Sequence, residues 1–269
     1  VMDLGEYKLF DDYRHFFSEA NKHNCEVIFN IETRIPEFST NYDQDIWRLN
    51  RPAPLKELVD TYLCTDGKTI EESPLYNPAQ PYENRDPRLL KSIVCIGYPY
   101  LGMTITKENV ATTGFGVKKY TSYEDDVTIP LVERSAFNFI LIRYAEVLLT
   151  YAEAQNEANG PDQSVYDAIN QLRKRPDINM PEVPKGLTKD QMRNVVRRER
   201  RIELTFEGLY YSDILRWKTA EKENNGMMHN NEGIAVVERS FNPKRDYLWP
   251  IPYNQIVLNP NLEQNPNWD

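Results

Sequence analysis

The chain has 269 residues, of which 40% are hydrophobic and 27% are charged, and its formal net charge is −9. This composition is typical of a globular protein with enough apolar residues to build a core. The excess of acidic residues argues against a nucleic-acid partner and against a polybasic contact with anionic lipid, because both of those surfaces are negatively charged.

The sequence predicts no membrane-spanning helix. The longest apolar stretch, residues 137–149, is interrupted by Asn138, Arg143 and Glu146, whereas a span needs about 18 or more apolar residues. The first residues carry neither the basic nor the apolar segment of a signal peptide.

Common catalytic and metal-binding signatures are missing from the sequence. Cys25, Cys64 and Cys95 are far apart and odd in number, so we expect free thiols that behave as small apolar side chains. The histidines lack metal-ligand spacing, no Gly-rich phosphate loop or G-x-S-x-G motif occurs, and the acidic run 124–126 is interpreted as a solvated turn. We therefore expect no catalytic residue, no metal and no cofactor.

Residues 1–136 are predicted to be rich in loops. Apolar residues at helical spacing predict a helix over 7–23, and a short β-branched run predicts a strand over 26–31. Two proline-rich stretches, 32–52 and 70–87, are expected to be long ordered loops, because proline fixes φ and removes a backbone donor.

Short regular elements are predicted around these loops. One apolar face over 55–63 predicts a helix, which is followed by a turn at Asp66-Gly67. Residues 89–96 and 115–120 are expected to form two strands of a small sheet.

From Phe137 the pattern becomes strongly helical. Apolar residues recur at i, i+3, i+4 and i+7 and predict a first helix that ends at Gly160, and a second helix contains residues 165–172. Thr188 and Gln191 form an S/T-x-x-E/Q capping box, which predicts the start of a third helix.

The third helix has an apolar face that continues to Phe206, and a fourth helix is predicted over 209–218. Residues 221–246 are charged and poor in apolar side chains, so this segment is expected to be an exposed loop.

These patterns predict a mainly α fold. Successive helical hairpins of this kind resemble tetratricopeptide-type (TPR-like) stacking, in which no helix pair buries its apolar face alone. We expect TPR-like hairpins with long, loop-rich, aromatic-bearing insertions and at most a small β-sheet. The single unit over 1–269 then comprises a loop-rich part (1–136), a helical-hairpin core (137–220) and a C-terminal loop and closing segment (221–269).

Several sequence blocks occur in a characteristic order. The strongest are LIRYAEVLLTYAEA at 141–154, ERRIELTFEG at 199–208, DILRW at 213–217, YLWPIP at 247–252 and NPNLEQNP at 259–266. Weaker blocks lie upstream, at 58–62, 66–67, 85–89, 113–114 and 118–120. Together they cover nearly the whole chain and resemble the SusD/RagB family of outer-membrane nutrient-binding lipoproteins.

The sequence departs from the family pattern in three respects. Tyr210 stands two residues after Glu-Gly, where the family usually has Arg, and Asn267 replaces the last residue of the closing Gln-Asn-Pro-Gly. Asparagine still adopts the left-handed conformation that favours glycine. Family members are typically far longer and begin with a lipoprotein signal and N-terminal helical pairs. The chain is therefore interpreted as the C-terminal half of such a protein, either a fragment or a truncated relative.

The resemblance implies a protein that is not an enzyme and that lies on the outer face of the outer membrane. It implies binding of a glycan, either a poly- or an oligosaccharide, and delivery of that glycan to a TonB-dependent SusC-like transporter. Membrane association would depend on a lipid anchor, which is expected to be absent from this chain.

Glu199 is interpreted as a structural residue, because it falls on the apolar face of the third predicted helix. A carboxylate in that position must be paired, and Arg143 and Arg216 on the flanking helices are the expected partners. Trp217 and Trp249 follow helix and strand patterns and are expected in the core.

Aromatic residues of the proline-rich loops are the candidate glycan contacts. Sugar rings stack on Trp and Tyr through their C–H faces, and their hydroxyls pair with amide, carboxylate and guanidinium groups. Segment 41–48 supplies both kinds of side chain at close spacing, and the second loop repeats the combination. The candidate ligand-binding residues are Trp47, Tyr42, Arg48, Tyr76, Tyr82 and Asn84, and the lesser candidates are Tyr98, Tyr100 and Tyr123.

The residues leave two other functions open. A helical-repeat scaffold that binds a peptide or protein would use the loop aromatics for packing, so that replacing Trp47 lowers stability rather than affinity. A glycoside hydrolase needs two carboxylates roughly 5–9.5 Å apart in a cleft, and the sequence marks no such pair. Starch, xylan, a host glycan and a peptide all fit the sequence as ligands.

Overall fold

The computed structural model describes residues 1–48, 52–129 and 132–268. The α-helices in these ranges are α1 (Lys56–Val59), α2 (Arg88–Ser92), α3 (Tyr144–Asn159), α4 (Gln163–Arg173), α5 (Lys189–Glu203), α6 (Tyr210–Arg216), α7 (Ala220–Glu223) and α8 (Tyr253–Leu258). The strands are β1 (Val27–Ile31), β2 (Ile93–Cys95), β3 (Pro99–Tyr100), β4 (Met103–Thr104), β5 (Phe115–Val117), β6 (Phe139–Arg143), β7 (Gly226–His229) and β8 (Ala235–Arg239). They form antiparallel pairs: β1 with β6, β2 with β5, β3 with β4 and β7 with β8.

The main hydrophobic core lies between α3, α4 and α5. Leu148 and Ala152 of α3, Ile169 of α4 and Val196 of α5 are almost fully buried in one cluster. Helical spacing places such residues on one stripe of each helix, so each helix buries its stripe against its neighbours. The predicted mainly α, TPR-like fold with small sheets is confirmed.

Two general features accompany this core. Across the described ranges, none of the helices has the length and the apolar character needed to cross a bilayer. Cys64 and Cys95 are buried, Cys25 is half-buried, and all three are free thiols.

Local capping interactions explain where the main helices begin and end. The amide of Gly160, at φ 86°, donates to the carbonyl of Asn156 at 2.9 Å and closes α3. Asp162 caps α4 by accepting from the amide of Val165. The predicted capping box at the start of α5 is present, because the Thr188 amide donates to Gln191 Oε1 at 2.8 Å and the Gln191 amide donates to Thr188 Oγ1 at 3.3 Å.

We expect the Thr188→Ala variant to lose about 1 kcal/mol of unfolding free energy, because one free amide of the first turn of α5 loses its acceptor. Urea denaturation followed by circular dichroism measures the loss. Thr188→Ser is the matched control, since it keeps the hydroxyl, and we expect it to remain close to the wild type. Equal losses in the two variants would contradict this account.

The first long helix begins later than predicted. The sequence placed its start at Phe137, but residues 139–143 form β6, which pairs with β1 through Ile31 opposite Phe139 and Val27 opposite Arg143. The apolar run is therefore divided between a strand and α3. Its helical spacing continues through the strand, which is why the sequence did not show the boundary.

The helix predicted over 7–23 is wrong. The segment contains only single 3₁₀ turns at His15–Phe17 and Glu19–Asn21. Phe16 and Phe17 are adjacent in sequence and both buried, whereas one face of a surface helix rarely buries two successive residues. The Tyr13 amide donates to Asp177 Oδ2 at 2.8 Å, so a tertiary contact takes the place of a helical hydrogen bond.

Other boundaries also differ from the predictions. The helix predicted over 55–63 is limited to α1, and residues 88–92 form α2 before the confirmed pair of strands β2 and β5. Segment 221–246, predicted as a loop, contains α7 and the hairpin of β7 and β8. Trp217 is half-buried. Trp249 was expected in the core, but it is 70% exposed, so that prediction is wrong.

A buried network of charged side chains joins the loops to the helices. Arg143, the last residue of β6, contacts Glu26 Oε1 at 2.6 Å, Glu203 Oε1 at 2.8 Å and Glu207 Oε2 at 2.7 Å. Arg175 bridges Glu26 and Glu203 at 2.8 and 2.9 Å. These side chains are at most 4% exposed, so each charge depends on its partners rather than on water.

The partners expected for Glu199 are wrong. Glu199 contacts Arg88 at 2.6 Å and Arg173 at 3.0 Å, and not Arg143 or Arg216. Helix α3 runs antiparallel to α5, with Glu157 near the end of α3 paired to Arg193 near the start of α5. Arg143, which directly precedes α3, therefore meets Glu203 at the end of α5 and Glu207 just beyond it. Burial and two guanidinium neighbours act in opposite directions on the Glu199 carboxyl, and the net effect lowers its pKa.

Arg216 belongs to a different and more exposed group. It contacts Asp213 at 2.9 Å and both carboxylate oxygens of Glu153. Its side chain is 45% exposed. It therefore joins α6 to α3 at the surface, outside the buried network.

Candidate functional site

Trp47 lies in a short π-helical turn, Gln44–Arg48, within the first proline-rich loop. Its ring is half-buried and meets Tyr100 edge-on at a centroid distance of 5.2 Å and Tyr123 at 6.5 Å. Tyr100 and Tyr123 are almost fully buried, so these two lesser candidates have no free ring face. Trp47 is consequently held by packing, and only part of its surface is available to a ligand.

Tyr42 anchors the same loop. Its ring is half-buried and packs edge-on against Tyr120 at 6.1 Å, and burial raises the pKa of Tyr42 to about 12. The neighbouring carboxylate of Asp43 is buried and accepts from Ser135 Oγ at 2.7 Å and from the Ser122 amide at 2.8 Å. The side chain of Arg48 lies outside the described residues.

The second proline-rich loop presents Tyr76 at the surface. Tyr76 is half-buried, and the guanidinium of Arg85 lies over its ring at 5.7 Å. Arg85 is itself fixed, because it donates to the carbonyls of Val59 and Tyr62 at 2.8 and 2.7 Å. One face of the Tyr76 ring is thus held by a buried cation.

Tyr82 and Asn84 differ in accessibility. Tyr82 is 9% exposed, with its ring between Tyr98 at 5.9 Å and Phe115 at 6.0 Å. Asn84 is exposed and adopts φ 54°, a conformation that asparagine tolerates better than most residues. Its amide Nδ2 reaches the Leu75 carbonyl at 3.4 Å and otherwise faces solvent.

Tyr98, only a lesser candidate in the sequence, packs against Tyr82 and is the more accessible of the two. Its ring is half-buried, and burial together with the nearby Glu83 carboxylate raises its pKa. The spacing in the sequence does not indicate a contact between Tyr98 and Tyr82, because the two rings meet only when β2 and β3 fold beside the loop. We call Tyr76, Tyr82, Asn84 and Tyr98 the tyrosine surface.

Among the described residues, Tyr82 and Trp47 lie on opposite sides of the β2–β5 sheet. Tyr82 packs with Ile93, Cys95 and Phe115 on one face of the β2–β5 sheet, whereas Trp47 packs with Val94 on the other face. Successive residues of a strand point to opposite faces, so a thin two-stranded sheet separates the candidates. Each region contributes half-buried rings: Tyr42 and Trp47 on one side, and Tyr76 and Tyr98 on the other.

The tyrosine surface combines aromatic rings with amide and carboxylate groups. It offers two partly exposed rings, with the Asn84 amide and the Glu83 carboxylate beside them. In the ranges that the structure describes, no group of three His, Cys, Asp or Glu side chains is arranged to hold a metal ion. The rings of this surface can stack on a ligand, and its amide and carboxylate can form hydrogen bonds.

The chain belongs to the SusD family, whose sequence model matches residues 6–268. A SusD-like carbohydrate binding protein from Bacteroides fragilis is 29% identical and has a TM-score of 0.85 over 97% of this chain and 59% of that chain. A second SusD-like protein from the same organism is 27% identical, with a TM-score of 0.80 over 98% of this chain and 59% of that chain. SusD-like protein P2 of Formosa agariphila is 35% identical over 49% of this chain and 26% of its own length.

The chain spans little more than half of these solved SusD-like proteins. The match with the curated relative covers about a quarter of that relative's length. The match of the family model over residues 6–268 establishes the family, and the TM-score of 0.85 over 97% of the chain establishes the fold.

Proposed function

We propose that this protein binds a glycan without catalysing its cleavage, and that the tyrosine surface makes the contacts. The observation that carries the proposal is a pair of half-buried rings: Tyr98, which packs edge-on against Tyr82, and Tyr76, which has Arg85 over one face. Sugar rings bury their C–H faces on such aromatic surfaces. Asn84 and Glu83 lie beside the rings and are suited to pair with sugar hydroxyls.

The family supports the same ligand class. A solved relative with 29% identity is described as a carbohydrate binding protein, and the present chain shares its fold over almost its whole length. The further parts of the proposal follow from the family resemblance: the whole protein acts at the outer cell surface and passes its glycan to a TonB-dependent SusC-like transporter.

Trp47 has a different role in this proposal. Its ring closes over Tyr100 and Tyr123, so its first contribution is to the packing of the loop. Removing it is expected to lower stability more than it lowers glycan affinity. The same reasoning applies to Tyr42, whose ring covers Tyr120.

We expect Tyr76→Ala and Tyr98→Ala each to weaken glycan binding roughly five- to tenfold, because a lost stacking contact is worth about 1 kcal/mol. Affinity electrophoresis against a polysaccharide panel identifies a glycan that retards the protein. Calorimetry with that glycan then measures the change in affinity. Tyr211→Ala is the control, since Tyr211 is 39% exposed and lies outside the tyrosine surface. Circular dichroism verifies that each variant is folded.

Three outcomes would contradict the proposal. The first is a well-folded wild type that binds none of the glycans, and the second is a loss of binding in Tyr211→Ala but not in Tyr76→Ala. The third is release of reducing sugar from the retained glycan, which would favour the glycoside hydrolase. Retention of a peptide in place of a glycan would instead favour the helical-repeat scaffold.

A further inference from the structure

A separate cavity of about 230 Å³ lies where α1, the C-terminal end of α5, α6 and the β7–β8 hairpin meet. Its walls are largely apolar and include Leu55, Leu58, Phe206 and Met228. None of the tyrosine-surface residues lines it. An apolar cavity of about 150 Å³ is large enough to bind benzene, so this one has room for a substituted aromatic ring.

The backbone at one wall of the cavity is unusual. Phe206 has φ 65°, in the left-handed region that a bulky residue rarely adopts. Residues with such a strained backbone conformation occur preferentially at ligand sites, where the surrounding structure maintains the strain. The half-buried Phe206 ring packs beside the cluster that contains Ile202 and Tyr62.

The two carboxylates at the rim of the cavity already accept hydrogen bonds or ion pairs from neighbouring groups. Arg201 contacts Glu223 at 3.1 Å and stacks on the Tyr210 ring at 4.2 Å, and the Tyr210 hydroxyl donates to Glu223 at 2.8 Å. Glu57 accepts from the backbone amide of His229 at 3.0 Å and lies 2.7 Å from its Nδ1. Both carboxylates that line the cavity therefore have partners.

Arg239 is different from the other charged groups at this rim. It lies on the exposed strand β8 and lines the cavity, and within the described ranges its guanidinium forms no ion pair or side-chain hydrogen bond. Two arginines and two carboxylates line the cavity, and the carboxylates already accept from Arg201, Tyr210 and His229. The guanidinium of Arg239 therefore has no acceptor among the described lining residues, and a carboxylate is the acceptor whose geometry best matches a guanidinium.

We propose that this cavity binds a small molecule made of a single aromatic ring that carries a carboxylate. The ring lies among the apolar walls, and the carboxylate accepts hydrogen bonds from the guanidinium of Arg239, a geometry for which arginine is well suited. This site is independent of the tyrosine surface and of the proposed glycan ligand.

Calorimetric titration with benzoate tests the proposal. Benzamide keeps the shape of benzoate without its charge, and acetate keeps the charge without the ring. We expect benzoate to bind and the other two compounds to bind at least about tenfold more weakly, because each lacks one of the two contacts. Equal binding of benzamide, or failure of a folded wild type to bind benzoate at millimolar concentration, would overturn the proposal.

Variants locate the site. Arg239→Gln changes an exposed side chain and is expected to weaken benzoate binding about tenfold or more, and Leu58→Phe is expected to block the cavity by filling it. Arg34→Gln is the matched control, because the Arg34 side chain is 70% exposed and lies elsewhere. A loss of benzoate affinity in Arg34→Gln equal to that in Arg239→Gln would overturn the assignment. Glycan retention should be the same in all of these variants.

Discussion

Replacing Arg143 with Met is expected to lower the free energy of unfolding by about 3–5 kcal/mol. The substitution keeps much of the side-chain volume but removes the cation that Glu26, Glu203 and Glu207 share. Removing one member of a buried ion pair is costly because it leaves the opposite charge in a low-dielectric interior without compensation. Guanidinium chloride denaturation with fluorescence and circular dichroism measures the loss.

Arg216→Met is the matched control for this experiment. Arg216 also pairs with two carboxylates, those of Asp213 and Glu153, but its own side chain is 45% exposed. Exposed pairs typically contribute about 1 kcal/mol or less. Similar losses in the two variants would show that burial is not what makes the Arg143 contacts important.

Glu203→Gln is expected to lose about 3–5 kcal/mol at neutral pH and to change how stability depends on pH. Glu203 is fully buried and contacts Arg88, Arg143 and Arg175 at 2.8–2.9 Å. Burial alone would raise the pKa of this carboxyl, but the three guanidinium groups outweigh it and hold the pKa well below its ordinary value of 4.5.

The sign of the pH effect follows from that shift. A carboxyl with a lower pKa in the folded state stabilises the protein above its unfolded pKa, and this stabilisation is lost as pH falls through the folded pKa. Glu199 and Glu207 have pKa values shifted in the same direction. We therefore expect wild-type stability to fall as pH decreases below about 4.5.

The variant should respond less to acid than the wild type does. The difference in unfolding free energy between wild type and Glu203→Gln is expected to be largest at pH 7 and to shrink below pH 4.5, which denaturation curves between pH 7 and 3 can measure. Glu238→Gln, on the exposed strand β8, should follow the wild-type curve. A constant difference across the pH range would contradict the assigned role of Glu203.

Those parts of the fold that depend on local interactions were predictable from the sequence. The Thr188–Gln191 capping box, the end of α3 at Gly160 and the pairing of the runs that contain β2 and β5 all involve short-range signals or strong periodicity. The helix predicted over 7–23 failed because tertiary contacts of Tyr13, Phe16 and Phe17 replace helical hydrogen bonds.

The ion pairs and the candidate ligand surface depend on long-range geometry. Glu199 was recognised as a buried position from its place on the apolar face, but its partner Arg88 lies 111 residues earlier, on α2. Likewise, the sequence singled out Tyr76, Tyr82 and Asn84, whereas the importance of Tyr98 depends on the turn that follows β2. The exposure of Trp249 was not predicted, because its apolar surroundings in the sequence resemble those of a core strand.

The buried charges also affect how the chain folds. Glu26 comes from the first strand region, yet its two partners, Arg143 and Arg175, are 117 and 149 residues further along. Consider a partly folded state in which the helices have packed but the N-terminal segment has not. In that state Arg143 and Arg175 would be buried away from water without the carboxylate of Glu26. Such states are high in free energy, so the network couples distant segments and favours all-or-none unfolding over stepwise loss of structure.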